Sequence, residues 1–241
     1  MKISNHKILI TGGASGIGYG IAERFVKEKN TVIIIGRRES SLKEAKAKIP
    51  ALITRQCDIS SSTERIELFN WISKEHPDLT VLVNNAGIQQ WMNVTDADFY
   101  QKAKDEIAVN IEAPLHLSSL FLQLKSLNTI MNVTSGLSFV PLIKVPVYSA
   151  TKAFFHSFTL SLRALAKPKG VEVVEIIPPA LNTDLGGKGL HDQAPPVSDF
   201  IDSIFAQLAE GSDELTFGFS ENMSKAGQEI LGGTFKRMNQ L

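Results

Sequence analysis

The stretch "YSATK" (148–152) sets a tyrosine and a lysine four residues apart, and Ser135 of "NVTSGLS" lies thirteen positions upstream of the tyrosine. On a helix, residues four apart project from one face. A phenol titrates near pKa ~10, too high for ready proton exchange at neutral pH. A neighbouring ammonium favours the phenolate and lowers that value, and an acid or base works best when its pKa lies near the working pH. Tyr148, Lys152 and Ser135 therefore qualify as three parts of one proton-transfer site. Each alone has an ordinary reading too: a surface Tyr–Lys contact, and a strand-end hydroxyl capping backbone.

A second chemistry is written in "TGGASGIG" (11–18). Gly12, Gly16 and Gly18, with Ser15 and Ile17 between them, suit a sharp turn that brings backbone close to a pyrophosphate. The following helix then offers its N–H groups and positive dipole end to the anion. The spacing is not G-x-G-x-x-G, and taken alone the turn also fits a tight connection. The next apolar run ends "IIIGRRES", with Gly36, Arg37 and Arg38 ahead of the first acid, Glu39. In dinucleotide-binding folds an acid at this place accepts the ribose hydroxyls, whereas arginine suits a 2′-phosphate. A guanidinium grips phosphate in a bidentate fork, so NADP(H) is favoured over NAD(H). The competing reading makes both arginines solvated helix-start residues.

These groups need elements to position them. Short apolar runs at 7–11, 31–36, 51–57, 80–84, 129–135, 171–177 and 214–218 read as strands buried on both faces. Helical spacing fills the segments between them, from residue 15 onward and over 39–48, 61–75, 103–125, 147–166 and 198–210. This alternation predicts an α/β fold, a doubly wound, mostly parallel sheet with helices on both faces, Rossmann-type. Ligands should then sit beyond the carboxyl ends of the strands. Residues 182–197, rich in Gly, Pro and Asp, read as a long loop, and 219–241 as a carboxyl-terminal segment.

Composition sets the outer bounds. The 241 residues suit a single domain, 1–241, and 43% apolar with 21% charged residues is a soluble globular balance. Basic and acidic side chains number 25 each, so nothing draws the chain to nucleic acid or anionic lipid. Cys57 is the lone cysteine, which excludes an internal disulfide and a cysteine zinc site. No metal, no membrane span and a cytoplasmic setting are expected.

Five motifs in order, T-G-x-x-x-G-x-G, "NNAG" (84–87), Asn110, Ser135 and Y-x-x-x-K, resemble the short-chain dehydrogenase/reductase family over nearly the whole chain. The resemblance implies an oxidoreductase that moves a hydride between a nicotinamide cofactor and a carbonyl or alcohol. Tyr148 would be the general acid/base, helped by Lys152 and by the positive ring of the oxidised cofactor. Lys152 would hold the nicotinamide ribose, Ser135 would hydrogen-bond the substrate oxygen, and Asn110 would link the lysine to a proton-relay water. It further implies adenine contacts from Asp58 and Ile59 and a wall from Asn85, Ala86 and Gly87. Ile177, Pro178 and Thr183 would border the nicotinamide. Asp58 also reads as a helix N-cap, as do Ser60 and Ser61, and Asn84 reads as structural.

Pro179 departs from the family's glycine and removes a backbone donor. The Pro178–Pro179 pair, with "VTSGL" and "ATKA", is similar to DltE-like oxidoreductases of bacterial D-alanylation operons. Candidate substrate-lining residues are Gln89, Gln90, Trp91, Leu137, Phe139, Val140, Leu185 and His191, a mainly apolar set. Two further readings remain open: a dehydratase or epimerase using the same Tyr–Lys pair, and a dinucleotide-binding regulator without chemistry. Helices 103–125 and 147–166 are apolar on more than one face, which the resemblance reads as a homodimer or homotetramer surface. The alternative cover for those faces is 219–241.

Overall fold

A computed structural model describes residues 3–241. Lys7–Thr11 (β1) lies mid-sheet because its side chains are apolar in both directions. Ile8 and Ile10 enter one core while Leu9 enters the other. It pairs in parallel with Thr31–Gly36 (β2) on one side and Val81–Asn84 (β4) on the other. With Ile53–Gln56 (β3), Thr129–Val133 (β5), Glu172–Ile177 (β6) and Glu214–Thr216 (β7), it forms a seven-stranded parallel sheet of order β3-β2-β1-β4-β5-β6-β7. Chain direction across the sheet reverses at β1, so a crevice opens past the carboxyl ends of β1 and β4.

One face carries Gly16–Lys27 (α1), Glu39–Lys48 (α2) and Val197–Ala209 (α7), whose core includes Phe25 against Phe205 at 4.8 Å. The opposite face carries Ser62–Glu75 (α3), Ala113–Phe121 (α5) and Pro146–Ala166 (α6). Phe99–Ile107 (α4) leads into α5 and packs on α6. Among the described residues no helix is long and apolar enough to cross a membrane.

Most predicted boundaries hold to within two residues, the usual ambiguity of element ends. The strand read over 51–57 pairs only over 53–56. The helix read as continuous over 103–125 is broken: α4 ends at Ile107, a π-turn covers Ala108–Glu112, and α5 follows. Pro114 has no N–H for the Asn110 carbonyl, the bond an α-helix would place there, and the turn widens ahead of it. The carboxyl-terminal segment contains two helices, Phe219–Ser224 (α8) and Gln228–Asn239 (α9). Gly232 and Gly233 hide α9 from a propensity reading. Its end is tied by Asn239 to Ile143 N–H at 2.8 Å and to the Pro141 carbonyl at 3.1 Å.

The sheet core also buries a carboxylate. Glu175 of β6 has no solvent exposure and is met by the Thr134 hydroxyl at 2.6 Å and by His156 Nδ1 at 2.9 Å. The hydrogen bond to Glu175 holds the His156 pKa above its ordinary value, against the opposing effect of burial. A raised folded-state pKa stabilises fully below the unfolded value of ~6.5, and that stability is lost as pH rises through the folded pKa. Urea midpoints should therefore fall on the alkaline side of neutrality in the parent and lose that dependence in Glu175→Gln. His156→Ala, which strands the carboxylate, should cost roughly 3 kcal/mol, the lower end for an uncompensated buried charge.

Candidate active site

Thr11 closes β1 and ties it to the next strand over. Its hydroxyl accepts the N–H groups of Asn85 and Ala86, each at 3.0 Å, and donates to the Val83 carbonyl at 3.3 Å. The Asn85 amide reaches back to the carbonyls of Thr11 (2.9 Å) and Gly12 (3.2 Å). Gly12 and Gly16 sit at φ +64° and +54°, the left-handed region. At Gly18 a Cβ would lie 2.4 Å from both the Gly12 oxygen and Asn85 Nδ2. Glycine is required there for helix–turn packing. Ser15 caps α1 without a side-chain capping bond, so the first N–H groups of that helix face the crevice mouth with no hydroxyl across them.

A cleft of about 200 Å³ opens beside this turn. It is lined by Gly12 and Ser15 of the turn, by Arg37 and Arg38 after β2, and by Asp58 and Ile59 after β3. Ala86 and Gly87 form its wall after β4. Gly16, Ile17, Gly18 and Asn85 adjoin that lining: Gly16 opens α1, Gly18 and Asn85 build the turn, and Ile17 packs on the core. Thr183 returns over the glycine turn, its methyl 3.4 Å from where a Gly16 Cβ would be. The Pro178 carbonyl instead accepts the Gly136 N–H at 2.9 Å, joining the β6 exit to the turn after Ser135.

Asp58 is the only carboxylate in the lining, and its Oδ1 accepts the N–H (3.0 Å) and hydroxyl (2.8 Å) of Ser60. The α3 N-cap is Ser61, which accepts the Glu64 N–H at 3.3 Å. Asn84 is structural: its amide donates to Ser118 and Asn132 in the core. Burial lifts the Cys57 thiol to about 12, so this lining residue is an inert sulfhydryl at neutral pH.

Beyond β4 and β5 the four predicted reacting groups converge. Lys152 is buried, donates to the Val133 carbonyl at 2.8 Å and lies 5.7 Å from the centre of the Tyr148 ring. Gly87 lies against both supporting groups: a Cβ there would be 3.4 Å from Asn110 Oδ1 and 3.5 Å from Lys152 Nζ. Burial lowers the lysine pKa to about 8. The Tyr148 phenol is displaced upward. Burial is the main cause, the Glu106 carboxylate adds to it, and a hydrogen bond with Ser135 works against both. Burial thus works against the charged form of both groups.

Asn110 occupies the π-turn, a distortion that often marks functional positions. Its Oδ1 accepts the Ile88 N–H and its Nδ2 donates to the Ile88 carbonyl, both at 2.9 Å. It also donates to the Thr151 hydroxyl at 3.1 Å, and Thr151 donates to the Tyr148 carbonyl at 2.7 Å. Asn110 therefore reaches the tyrosine–lysine helix through Thr151. Ser135 Oγ accepts the Leu137 N–H at 3.1 Å.

Of the substrate-side residues, Gln89 meets the 182–197 loop at Gly186, while Gln90 is turned away and donates to the Lys102 carbonyl at 3.2 Å. Trp91 is exposed beneath the Lys144 ammonium. Val140 is buried, and Phe139 meets the His156 ring edge-on. The segment carrying them is fastened by Asn239 of α9. Glu106, Thr151 and Glu175 were not singled out from sequence; Thr11 stood there only as the first residue of the T-G-x-x-x-G-x-G motif, and Glu106 lies four residues before Asn110.

Residues 6–194 match the short chain dehydrogenase family model. A protein of Bacillus subtilis (strain 168), named "Uncharacterized oxidoreductase DltE", is 40% identical over 99% of this chain and 98% of its own length. The crystal structure of a short chain dehydrogenase from Burkholderia cenocepacia in complex with NADP superposes with TM-score 0.83 at 24% identity, covering 98% of this chain and 99% of that one. A short chain dehydrogenase/reductase from Burkholderia phymatum in complex with NAD gives 0.79 at 17% identity, over 90% of each chain.

Packing at the glycine turn yields a direct test. Gly18→Ala should cost roughly 2 kcal/mol in overpacking, which in a chain of this size lowers Tm by about 4–8 °C in a thermal melt.

Proposed function

We propose that this chain, which belongs to the short chain dehydrogenase family of oxidoreductases acting on CH–OH groups, uses NADP(H) and reduces a carbonyl through Tyr148. The observation that carries the reading is the buried cluster of Tyr148, Lys152 and Ser135 beside a cleft that two arginines line.

The residues present fit a dinucleotide. Gly12 and Gly16 bring bare backbone to the mouth of α1, and Arg37 and Arg38 line the same cleft with guanidinium groups that suit a 2′-phosphate. When bound, the nicotinamide supplies the hydride and, oxidised, a positive ring. Lys152 and Asn110 hold the inner end of this pocket, and Thr183 borders it. The Ser135 hydroxyl hydrogen-bonds the substrate oxygen, where charge develops during hydride addition. The Tyr148 hydroxyl gives that oxygen its proton, and in the reverse direction the phenolate takes one from the alcohol. The Lys152 ammonium, 5.7 Å from the Tyr148 ring, would oppose the upward push of burial on the phenol. The B. cenocepacia structure with NADP supports this choice, and the NAD complex of B. phymatum keeps the alternative worth testing.

The 182–197 loop, already against Gln89, closes over the substrate and excludes water. Exposed Phe154, Leu160 and Leu165 of α6 and Ile107 of α4 make a self-association surface. α8 packs on the turn after Ser135 instead, and light scattering on the eluting protein should read a dimer or tetramer. A cytoplasmic setting accords with the single thiol.

Two measurements test the chemistry. Tyr148→Phe should lower kcat roughly 100-fold or more with ketone and aldehyde panels while still binding NADPH, and parent-like turnover would refute the role. In thermal-shift titrations NADPH should stabilise the parent more than NADH. Replacing Arg37 and Arg38 by Ala should weaken NADPH by roughly 10–100-fold, the scale of lost charged hydrogen bonds, and leave NADH unchanged.

A further inference from the structure

The proton-transfer scheme leaves unused a carboxyl group packed against it. Glu106, in the last turn of α4, has no solvent exposure. Its Oε1 accepts the Gln90 N–H at 2.6 Å, whereas Oε2 has no hydrogen-bond partner among the described residues. A buried carboxylate with one oxygen unmet is costly, and an apolar side chain of the same size would suit the helix contact better.

Its direction follows from the register of two helices. Asn110 of the π-turn meets Thr151 of α6, and α4 packs on the same helix. Glu106, one turn before Asn110, therefore faces the turn of α6 that precedes Thr151, the turn of Tyr148. The carboxylate acts electrostatically on that phenol.

The charged surroundings leave this pairing unanswered. From α6 the facing groups are Tyr148 and, one turn on, Lys152, whose Nζ is committed to the Val133 carbonyl. On its own helix Lys102 pairs with Asp98 at 2.9 Å, and Asp105 accepts from Gln101. Lys144, from the segment before α6, stands over Trp91. The loop after β4 contributes only the amides Gln89 and Gln90. No cation is ion-paired with Glu106 among the described residues. Burial raises its pKa to about 7, so it changes charge in the physiological range.

We propose that Glu106 is a positioning residue that sets the charge state of Tyr148: its ionised carboxylate opposes the phenolate, keeps the phenol as a proton donor, and biases the enzyme toward carbonyl reduction. The proposal rests on the reading of Tyr148 as the acid/base. With Glu106 ionised, Tyr148 keeps its proton to higher pH, and alcohol oxidation needs correspondingly more alkaline conditions.

The experiment compares pH profiles of kcat and KM, in both directions, for the parent and Glu106→Gln. Glutamine keeps an acceptor for the Gln90 N–H and removes only the charge. The apparent pKa governing oxidation should move down by about one unit, the size of a like-charge interaction across several ångströms of protein. Above neutrality, where Glu106 is ionised, oxidation on the acidic limb then rises by up to about tenfold, the alkaline fall of reduction moves down equally, and KM stays near the parent value. Where E106Q is unstable, Glu106→Met serves, since a neutral chain of similar volume is tolerated at such sites. A folded neutral variant whose profiles superimpose on the parent's, or move upward, overturns the proposal. Parent-like activity of Tyr148→Phe would overturn the acid/base reading instead, so the two failures are distinguishable.

Discussion

The ammonium of Lys152 has been withdrawn from water, and the site is organised around that desolvation. A buried charge must be met by fixed dipoles, and here the Val133 carbonyl at the end of β5 meets it. The lysine can reach that carbonyl only because α6 lies tightly on the sheet. The same burial acts on two groups in opposite senses: it lowers the lysine and raises the phenol. Both shifts favour the neutral form, the common effect of losing solvent. Burial by itself therefore opposes phenolate formation at this site.

Keeping α6 in place falls to a chain of polar contacts rather than to apolar packing alone. Asn110 grips the Ile88 peptide on both its N–H and its carbonyl and reaches Thr151, which is bonded to the Tyr148 carbonyl. The π-turn aims this side chain, and Pro114 accounts for the turn. Deeper in the same layer, Asn84 donates to Ser118 and Asn132, and Asn132 to Thr159 of α6. Such networks specify one arrangement because a shifted helix would strand several buried groups at once. Thr11 plays the corresponding role on the cofactor side, where one hydroxyl joins β1 to the segment after β4.

Much of this was legible in sequence. Continuous apolar runs and intervening helical spacing identified the parallel sheet, since only strands covered on both faces are apolar throughout. The glycine turn, Arg37–Arg38 and the Ser135–Tyr148–Lys152 set were recognisable because each is a local pattern of residue type and spacing. What was misread depended on partners far away in the chain. Helix α9 was invisible in "LGGTF", because it is anchored by Asn239 to residues near 141. The depth of burial at Tyr148 was not legible, because a motif shows a neighbouring lysine and does not show how much water is excluded.

The linear order of residues by itself determined the α/β alternation, the position of the pyrophosphate-type turn and the identity of the groups able to exchange a proton, all of which are properties of neighbours along the chain. Tertiary structure alone decided the depth at which those groups are buried, the break in the helix that turns Asn110 onto Ile88, and the burial of Glu106 on a helix packed against α6. The physical reason is that desolvation and through-space charge depend on everything that surrounds an atom, and most of what surrounds these atoms comes from other elements of the fold.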